Sequence, residues 1–312
     1  MTTYKEINGT NIEAVASDPS NPVEGQVWYN TTSNTVKANY INPGSWATGG
    51  SLNTARSALA GAGTQTAALA FGGSPPVVAI TESYNGTSWT EVNDMNTARY
   101  RLAGVGTQTA ALVFGGFIPP STAATETWNG TNWTAVNSMN TARHFLAGAG
   151  TNTAALAFGG ESPITAITEL WNGTNWAEVN DLNTARFQLA GCGTQTAALG
   201  FGGYSGPITA NTETWNGTNW TEVNNLNTAR QGLAGAGTNT AALAFGGTPA
   251  PTGNTESWNG TNWTEVGDLG TERYTLAGAG INTSALAFGG SGPTAATEEF
   301  SSGPATVTFD NS

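Results

Sequence analysis

The feature that most constrains this chain is a sixteen-residue motif that recurs with little change along its length. The motif reads WNGTNWTEVNNLNTAR over residues 215–230, and close copies begin at Trp128, Trp171 and Trp258, with a looser copy beginning at Tyr84. Its final arginine recurs every 43 or 44 residues, and a Phe-Gly-Gly triplet recurs at the same interval. Such a chain is expected to build one small structural unit several times and to stack the copies.

A period of this length is typical of a four-stranded propeller blade or of a helical solenoid repeat. Glycines and Asn-Gly pairs within every copy argue against helices. Four segments of the fifth copy favour strands instead: LAGAG (233–237), TAALAFGG (240–247), NTESWNG (254–260) and NWTEV (262–266). The second is a near-continuous apolar run, as in a strand covered on both faces, and Asn-Gly is a strong hairpin signal. Each copy is therefore predicted to be a four-stranded antiparallel meander.

Stacking explains why the wording repeats. A single sheet of this kind exposes two apolar faces, and copies packed face to face around an axis bury both of them. Every blade must then present the same two faces to its neighbours. The small residues of LAGAG are predicted to be innermost, where the blades converge, and the paired tryptophans are predicted to fill the broader outer part.

These residues resemble the kelch-repeat β-propellers. The pattern of that family is a Gly-Gly doublet, an aromatic residue about a dozen positions later, a tryptophan about six positions further on, and then an arginine. Gly115-Gly116, Trp128, Trp133 and Arg143 reproduce this order, and the match recurs six times over about residues 46–300. The resemblance implies an all-β kelch-like propeller, and it says little about function because propellers host many unrelated activities.

The number of blades depends on the N-terminal segment. The position 43 residues before Trp89 is Trp46, and GQVWYN stands where later copies have ALAFGG, so residues 12–50 align as a degenerate first blade. TEEFSSGPATVTF (297–309) then supplies the third and fourth strands of the last blade. We expect seven four-stranded blades, and the alternative is six blades plus an N-terminal hairpin module. The corresponding division is an N-terminal segment over residues 1–50 and propeller repeats over residues 51–312.

Composition narrows the functional classes. Charged residues make up 10% of the chain, the net charge is −12, and Lys5 and Lys37 are the only lysines. No basic footprint for nucleic acid is present, and no apolar stretch is long enough to span a membrane, so neither partner is expected. His144 and Cys192 are the only histidine and cysteine, which excludes the common zinc clusters, and no cofactor or metal is predicted. The N-terminal MTTYKEINGTNIE lacks the basic and apolar regions of a signal peptide, so none is expected.

Each copy carries one arginine and one glutamate at matching positions. In an up-and-down meander, the start of the third strand and the start of the inner strand lie at the same end of a blade. We predict that each arginine pairs with a glutamate and fixes the blade spacing. The alternative is a ring of arginine donors that binds an anionic ligand. The arginines are Arg56, Arg99, Arg143, Arg186, Arg230 and Arg273, and the glutamates are Glu82, Glu126, Glu169, Glu213, Glu256 and Glu298.

The copies differ at two places, which the meander puts at one end of the blades. One is the connection after Gly-Gly, and the other is the residue pair directly after each repeated arginine. Variable loops on a rigid frame are a common place for binding residues, although drift at surface positions would look the same. We predict a recognition face with exposed side chains, formed by Tyr100, Arg101, His144, Phe145, Phe187, Gln188, Gln231 and Tyr274, with help from Phe117 and Tyr204.

A second resemblance bears on function. The segment DPSNPVEGQVWYNTTSNTVKANY (18–40) resembles a segment of tailed-phage virion proteins, especially tail fibres, and the repeat wording resembles marine phage structural proteins. This implies a non-enzymatic virion structural or adhesion protein, a fibre or decoration component, located in the virion and contacting other virion proteins and a host-surface glycan or protein. The alternatives are a secreted or cell-surface carbohydrate-binding lectin of bacterial origin and a glycan-cleaving enzyme.

Overall fold

The computed structural model describes residues 12–309, and its regular elements are 26 β-strands. Residues 1–11, which include Lys5 and most of the segment considered above for a signal peptide, lie outside the described residues, as do residues 310–312. Within residues 12–309 there is no helix with the length and hydropathy to span a membrane. The chain divides into two compact units, one formed by Ser45–Ser301 and the other by the flanking residues on both sides.

The flanking unit begins with three strands, β1 (Glu13–Val15), β2 (Val27–Asn30) and β3 (Thr35–Thr48), of which β3 continues into the larger unit. β1 pairs parallel with β2, and β2 pairs antiparallel with β3 in a hairpin with Asn30 opposite Thr35. The Asp18 carboxylate accepts hydrogen bonds from Lys37 Nζ (2.7 Å), Asn30 Nδ2 (2.7 Å) and Trp28 Nε1 (2.9 Å). These donors lower the pKa of Asp18 to about 2.

The larger unit is a β-propeller. Five of its blades are four-stranded antiparallel meanders, each continuous in sequence. Blade 1 contains β4 (Ala60–Gly63), β5 (Ala68–Phe71), β6 (Thr81–Tyr84) and β7 (Trp89–Val92). Blade 2 contains β8 (Ala103–Thr107), β9 (Ala110–Phe114), β10 (Thr125–Trp128) and β11 (Trp133–Val136). Blade 3 contains β12 (Ala147–Gly150), β13 (Ala155–Phe158), β14 (Thr168–Trp171) and β15 (Trp176–Val179). Blade 4 contains β16 (Ala190–Thr194), β17 (Ala197–Phe201), β18 (Thr212–Trp215) and β19 (Trp220–Val223). Blade 5 contains β20 (Ala234–Gly237), β21 (Ala242–Phe245), β22 (Thr255–Trp258) and β23 (Trp263–Glu265).

Blade 6 is assembled from both ends of the unit. Its strands are β24 (Ala277–Ile281), β25 (Ser284–Phe288), the first part of β26 (Thr297–Phe309), and the end of β3 around Trp46. The propeller therefore has six blades, as in the alternative considered above, and the expectation of seven is wrong. Residues 297–309 form one strand rather than two, because the fourth-strand place is taken by the N-terminal segment. Trp46 does occupy a fourth-strand position, but in the last blade.

The inner strands β4, β8, β12, β16, β20 and β24 contact one another in a closed ring. Apolar clusters lie between adjacent blades rather than within one blade. Between blades 1 and 2, for example, Ala60 and Phe71 pack against Leu102, Trp128 and Trp133. Each blade thus packs one apolar face against the preceding blade and the other against the following blade. Because every blade must have the same two faces, the sequence repeats.

Tryptophans of the fourth strands join each blade to the one before it. The indole Nε1 of Trp133 donates to Thr81 Oγ1 at 3.0 Å, and the same bond recurs around the propeller at 3.0–3.1 Å. Trp46 donates to Thr255 in blade 5, and Trp89 donates to Thr297 in blade 6. The circle of six hydrogen bonds is complete only because Trp46 occupies blade 6.

Candidate functional site

The repeated arginines and glutamates form buried ion pairs within single blades. The pairs are Arg56–Glu82, Arg99–Glu126, Arg143–Glu169, Arg186–Glu213, Arg230–Glu256 and Arg273–Glu298, with Nη2–Oε1 distances of 2.9–3.3 Å. Every one of these guanidinium groups is at most 1% exposed. Their burial lowers the pKa of each arginine, and the glutamate beside it acts in the opposite direction. Side chains buried in this way do not line an open ligand site.

The residue after each repeated arginine pairs with the connection that follows Gly-Gly in the same blade. Isolated antiparallel bridges join Ser57 to Ser74, Tyr100 to Phe117, His144 to Glu161, Phe187 to Tyr204 and Gln231 to Thr248. In blade 6, the backbone N–H of Ser291 donates to the carbonyl of Tyr274 at 2.7 Å. The two variable places therefore lie side by side at one end of each blade. We call this end of the propeller the variable face.

The second residue of each pair lies closest to the propeller axis. These residues are Ala58, Arg101, Phe145, Gln188, Gly232 and Thr275, and all six have positive φ angles between 50° and 63°. Each backbone N–H donates to the carbonyl of the equivalent residue in the preceding blade, at 2.6–2.9 Å. The bonds run from Arg101 to Ala58 and onward until Ala58 donates to Thr275, so they close a six-membered ring. We call this set the axial ring. A left-handed conformation costs a non-glycine residue roughly 1–2 kcal/mol, and the closed ring imposes it at five such positions.

A cavity of about 90 Å³ opens at the axial ring. Its wall includes the axial ring residues, and leucines of the six blades, such as Leu102 and Leu146, line its inner end, beyond which a second cavity along the inner strands continues. Arg101, Phe145 and Gln188 are the large side chains on this wall. Blades 1, 5 and 6 contribute the small residues Ala58, Gly232 and Thr275, so the cavity is asymmetric.

Six rings on blades 2, 3 and 4 form a continuous series along the variable face. Neighbouring centroids are 4.9–6.0 Å apart in the order Tyr100, Phe117, His144, Phe145, Phe187, Tyr204, which we call the aromatic arc. The Arg101 guanidinium carbon lies 4.4 Å from the Phe145 centroid, 4.9 Å from Tyr100 and 5.7 Å from Phe117. These distances lie within the range of cation–π attraction.

The structure brings some of the sequence-predicted residues together and separates others. The arc, Arg101 and Gln188 share three adjacent blades, whereas Gln231 and Tyr274 lie on blades 5 and 6 among Thr248, Thr275 and Ser291. The side chains are also less exposed than expected. His144 is buried, and the other predicted residues are half-buried. The predicted ring of exposed side chains is therefore an arc of partly covered rings on half of the face.

His144 has two polar partners that the repeat comparison did not identify. Its Nδ1 lies 2.9 Å from Ser121 Oγ, and its Nε2 lies 3.4 Å from Glu161 Oε2. Burial lowers the pKa of His144, Glu161 raises it, and the positive charge of Arg101 lowers it. Both partners belong to the variable connections, where no internal repeat marks them. A serine, a histidine and a glutamate therefore meet here, but the imidazole is also packed against Phe117 and Phe145.

Within the part of the chain that the structure describes, no cluster of three histidine, cysteine or acidic side chains has the arrangement of a metal site. Cys192 is buried in the inner strand of blade 4, and this burial raises its pKa to about 12. No protein-family model matches the chain, and no curated protein matches it significantly. The assignment of the β-propeller fold therefore rests on the six four-stranded blades and the closed ring of their inner strands.

Proposed function

We propose that the chain is a non-enzymatic binding module that recognises a glycan with one half of its variable face. The observation that carries this proposal is the aromatic arc on blades 2–4, with Arg101 among its rings. Rings that are partly exposed at a rigid surface can stack on the apolar faces of sugars, and arginine and amide side chains can bind sugar oxygens. The remaining blades present one aromatic residue, Tyr274, and otherwise mainly hydroxyl and amide side chains at these positions, which offer less stacking area.

The biological setting we propose is a virion. The kelch-like order of Gly-Gly, tryptophan and arginine fits a structural propeller, and residues 18–40 resemble a segment of tailed-phage fibre proteins. In that setting, the chain is a fibre or decoration component that contacts other virion proteins and presents the variable face to a host-surface glycan. The alternative is a secreted or surface lectin of bacterial origin. Mass spectrometry of purified virus particles separates the two, since only the virion component co-purifies with the particles.

Glycan binding is tested with a double variant, Phe145→Ala/Phe187→Ala. Ala58 shows that alanine fits the axial ring at the position of Phe145, and in blade 1 the small residue Ser57 makes the backbone bridge that Phe187 makes in blade 4, so this variant keeps the backbone arrangement. Each aromatic anchor is expected to contribute about 1–2 kcal/mol, so the variant should weaken binding by at least tenfold on a glycan array. The matched control, Ser74→Ala/Thr248→Ala, changes the same face on blades 1 and 5 and should bind normally. Equal binding by both variants would place recognition elsewhere.

The glycan-cleaving alternative has one feature in its favour, the meeting of Ser121, His144 and Glu161. It is tested by incubating the protein with a polysaccharide panel and measuring released sugars. We expect no release. Release that is abolished by Glu161→Gln or by Ser121→Ala would overturn the non-enzymatic proposal.

A further inference from the structure

Arg101 differs from every other basic side chain of residues 12–309 in its charge environment. The six repeated arginines each pair with a glutamate in their own blade, and Lys37 pairs with Asp18 at 2.7 Å. Among the described residues, Arg101 has no carboxylate within 4.0 Å and no hydrogen bond from its guanidinium to the protein. The chain has a net charge of −12, yet this cation at the mouth of the axial cavity has no counterion among residues 12–309.

The surroundings of Arg101 orient its guanidinium without neutralising it. Phe145, Tyr100 and Phe117 lie against the group at 4.4, 4.9 and 5.7 Å, so the rings restrict its motion while leaving its N–H groups unbonded to the protein. An arginine held in this way loses little entropy when it binds an oxyanion, and its planar fork matches a carboxylate or a sulfate.

The backbone shows that the axial ring does not require a large side chain at this place. Arg101 has a φ of 57°, and the equivalent position in blade 5 is occupied by Gly232, with a φ of 63°. Glycine therefore satisfies the axial ring without strain, and a long charged residue at this place is conformationally unfavourable. Ala58 and Thr275 have the same conformation, with φ angles of 51° and 50°, so it is imposed by closure of the ring and the size of the side chain is what sets Arg101 apart. Three large side chains, Arg101, Phe145 and Gln188, occupy such positions on the same three blades as the aromatic arc.

The cavity limits what can enter. The space at the axial ring, about 90 Å³, admits several water molecules or one small charged group. A substituent can therefore reach the axis beside Arg101 while the sugar that carries it stays outside, against the rings of the arc. The absence of a basic stripe on a chain of this charge argues against a nucleic acid phosphate as the anion.

We propose that Arg101 binds the anionic substituent, a carboxylate or a sulfate, of an acidic saccharide whose sugar ring stacks on the aromatic arc. This inference rests on the proposed glycan-binding function and names its ligand class. Gln188 lies on the same wall of the cavity and supplies amide groups for the remaining oxygens. Specificity for an acidic over a neutral sugar then comes from one residue, and overall affinity comes mainly from the rings.

The test uses a glycan array with matched pairs: oligogalacturonides against their methyl esters, and sulfated oligosaccharides against their desulfated forms. We expect the wild-type protein to prefer an acidic member at least tenfold, with binding that weakens as salt increases. Arg101→Gln should remove the preference and the salt dependence, and Arg101→Lys should retain part of both. The two kinds of pair distinguish a carboxylate from a sulfate.

Two further variants keep the result interpretable. Arg101→Gly reproduces the arrangement at Gly232, so it should fold and melt no lower than the wild type while losing the acidic preference. Thr248→Ala, on blade 5, should leave the preference unchanged. Glycan binding that depends on Phe145 and Phe187 but shows no acidic preference would overturn this inference and leave the proposed function standing. Binding to no glycan, or Arg101-dependent binding to an acidic peptide alone, would overturn both.

Discussion

At the residue scale, His144 contacts the variable connections of two blades, that of blade 2 through Ser121 and that of blade 3 through Glu161. Its imidazole contacts Ser121 and Glu161 through its nitrogens, and Phe117 and Phe145 cover the ring. The charged groups that influence it are Glu161 and Arg101. Since desolvation is the largest of these influences, the pKa of His144 is lowered, and the folded protein favours the neutral imidazole more than the unfolded chain does.

The protein is therefore expected to lose stability when His144 is forced to protonate. The pKa of His144 is lower in the folded state than its ordinary value of 6.5, so below that value the unfolded chain binds more protons than the folded chain. The free energy of unfolding should be unaffected by His144 above about pH 7.5 and should fall as the pH drops through 6.5. The measurement is urea denaturation of the wild type and of His144→Gln between pH 8 and pH 5.

The variant isolates this residue from the many carboxylates that also titrate in acid. The difference in unfolding free energy between wild type and His144→Gln should shift against the wild type as the pH falls. A difference that shifts in favour of the wild type would mean that Glu161 stabilises the imidazolium more than burial destabilises it.

At the element scale, each blade depends on one buried carboxylate that organises three segments. In blade 4, Glu213 on β18 accepts hydrogen bonds from the backbone N–H and the side chain of Asn183, both at 2.8 Å. It also accepts one from Arg186 Nη2 at 3.0 Å, and Arg186 donates to the carbonyl of Gly202 as well. The repeated Asn-Thr-Ala-Arg wording is explained by this arrangement, in which the asparagine and the arginine bind opposite oxygens of one glutamate.

Replacing Arg186 should lower the free energy of unfolding far more than a surface substitution does. Arg186→Met leaves Glu213 as an uncompensated buried charge, and it is expected to cost about 3–5 kcal/mol in unfolding free energy. The double variant Arg186→Met/Glu213→Gln removes the stranded charge and keeps an acceptor for Asn183, so it should recover part of the loss. Chemical denaturation of the three proteins gives these values. A loss below about 1 kcal/mol for the single variant would be that of a surface pair.

The strands could be predicted from the sequence because their signals are local and are repeated. Gly-Gly and Asn-Gly mark the ends of strands, and the predicted segment 262–266 overlaps β23 (Trp263–Glu265). The small residues of the inner strands also recur in a local pattern, although they are small because a phenylalanine of the preceding blade packs against them. A side chain on Gly235, for example, would come within 2.6 Å of Phe201 Cζ.

The candidate site was less accessible to sequence reasoning. Variation among the copies identified the aromatic residues, but it did not indicate that Tyr274 and Gln231 lie apart from the arc. The positive φ angles of Arg101, Phe145 and Gln188 have no local signal, because hydrogen bonds between blades impose them. Ser121 and Glu161 were missed for a similar reason, since their role depends on where two connections meet.

At the scale of the whole propeller, the decisive contact joins the two ends of the unit. The 43-residue period correctly predicted that Trp46 lies in a fourth strand. The period alone does not show to which blade that strand belongs. Counting residues favoured seven blades because residues 12–50 are long enough for one more. The structure uses Ser45–Thr48 to finish blade 6 instead, since β26 would otherwise present an unpaired edge there.

This closure predicts that Trp46 supports the entire propeller although it lies near the start of the unit. Its ring packs against Phe245 and Phe300 with centroids 5.0 and 5.2 Å away, and its Nε1 donates to Thr255. Trp89 makes the equivalent contacts in blade 1, with Phe288 at 5.0 Å and Thr297 as acceptor.

Trp46→Ala and Trp89→Ala should each lower the free energy of unfolding by about 3 kcal/mol, in a single unfolding transition. Limited proteolysis should distinguish the two variants. Only Trp46→Ala weakens the packing of the N-terminal strand in blade 6, so new cleavage near residues 45–53 is expected in that variant alone. Unchanged stability of Trp46→Ala, with no new cleavage there, would mean that blade 6 closes without the N-terminal strand.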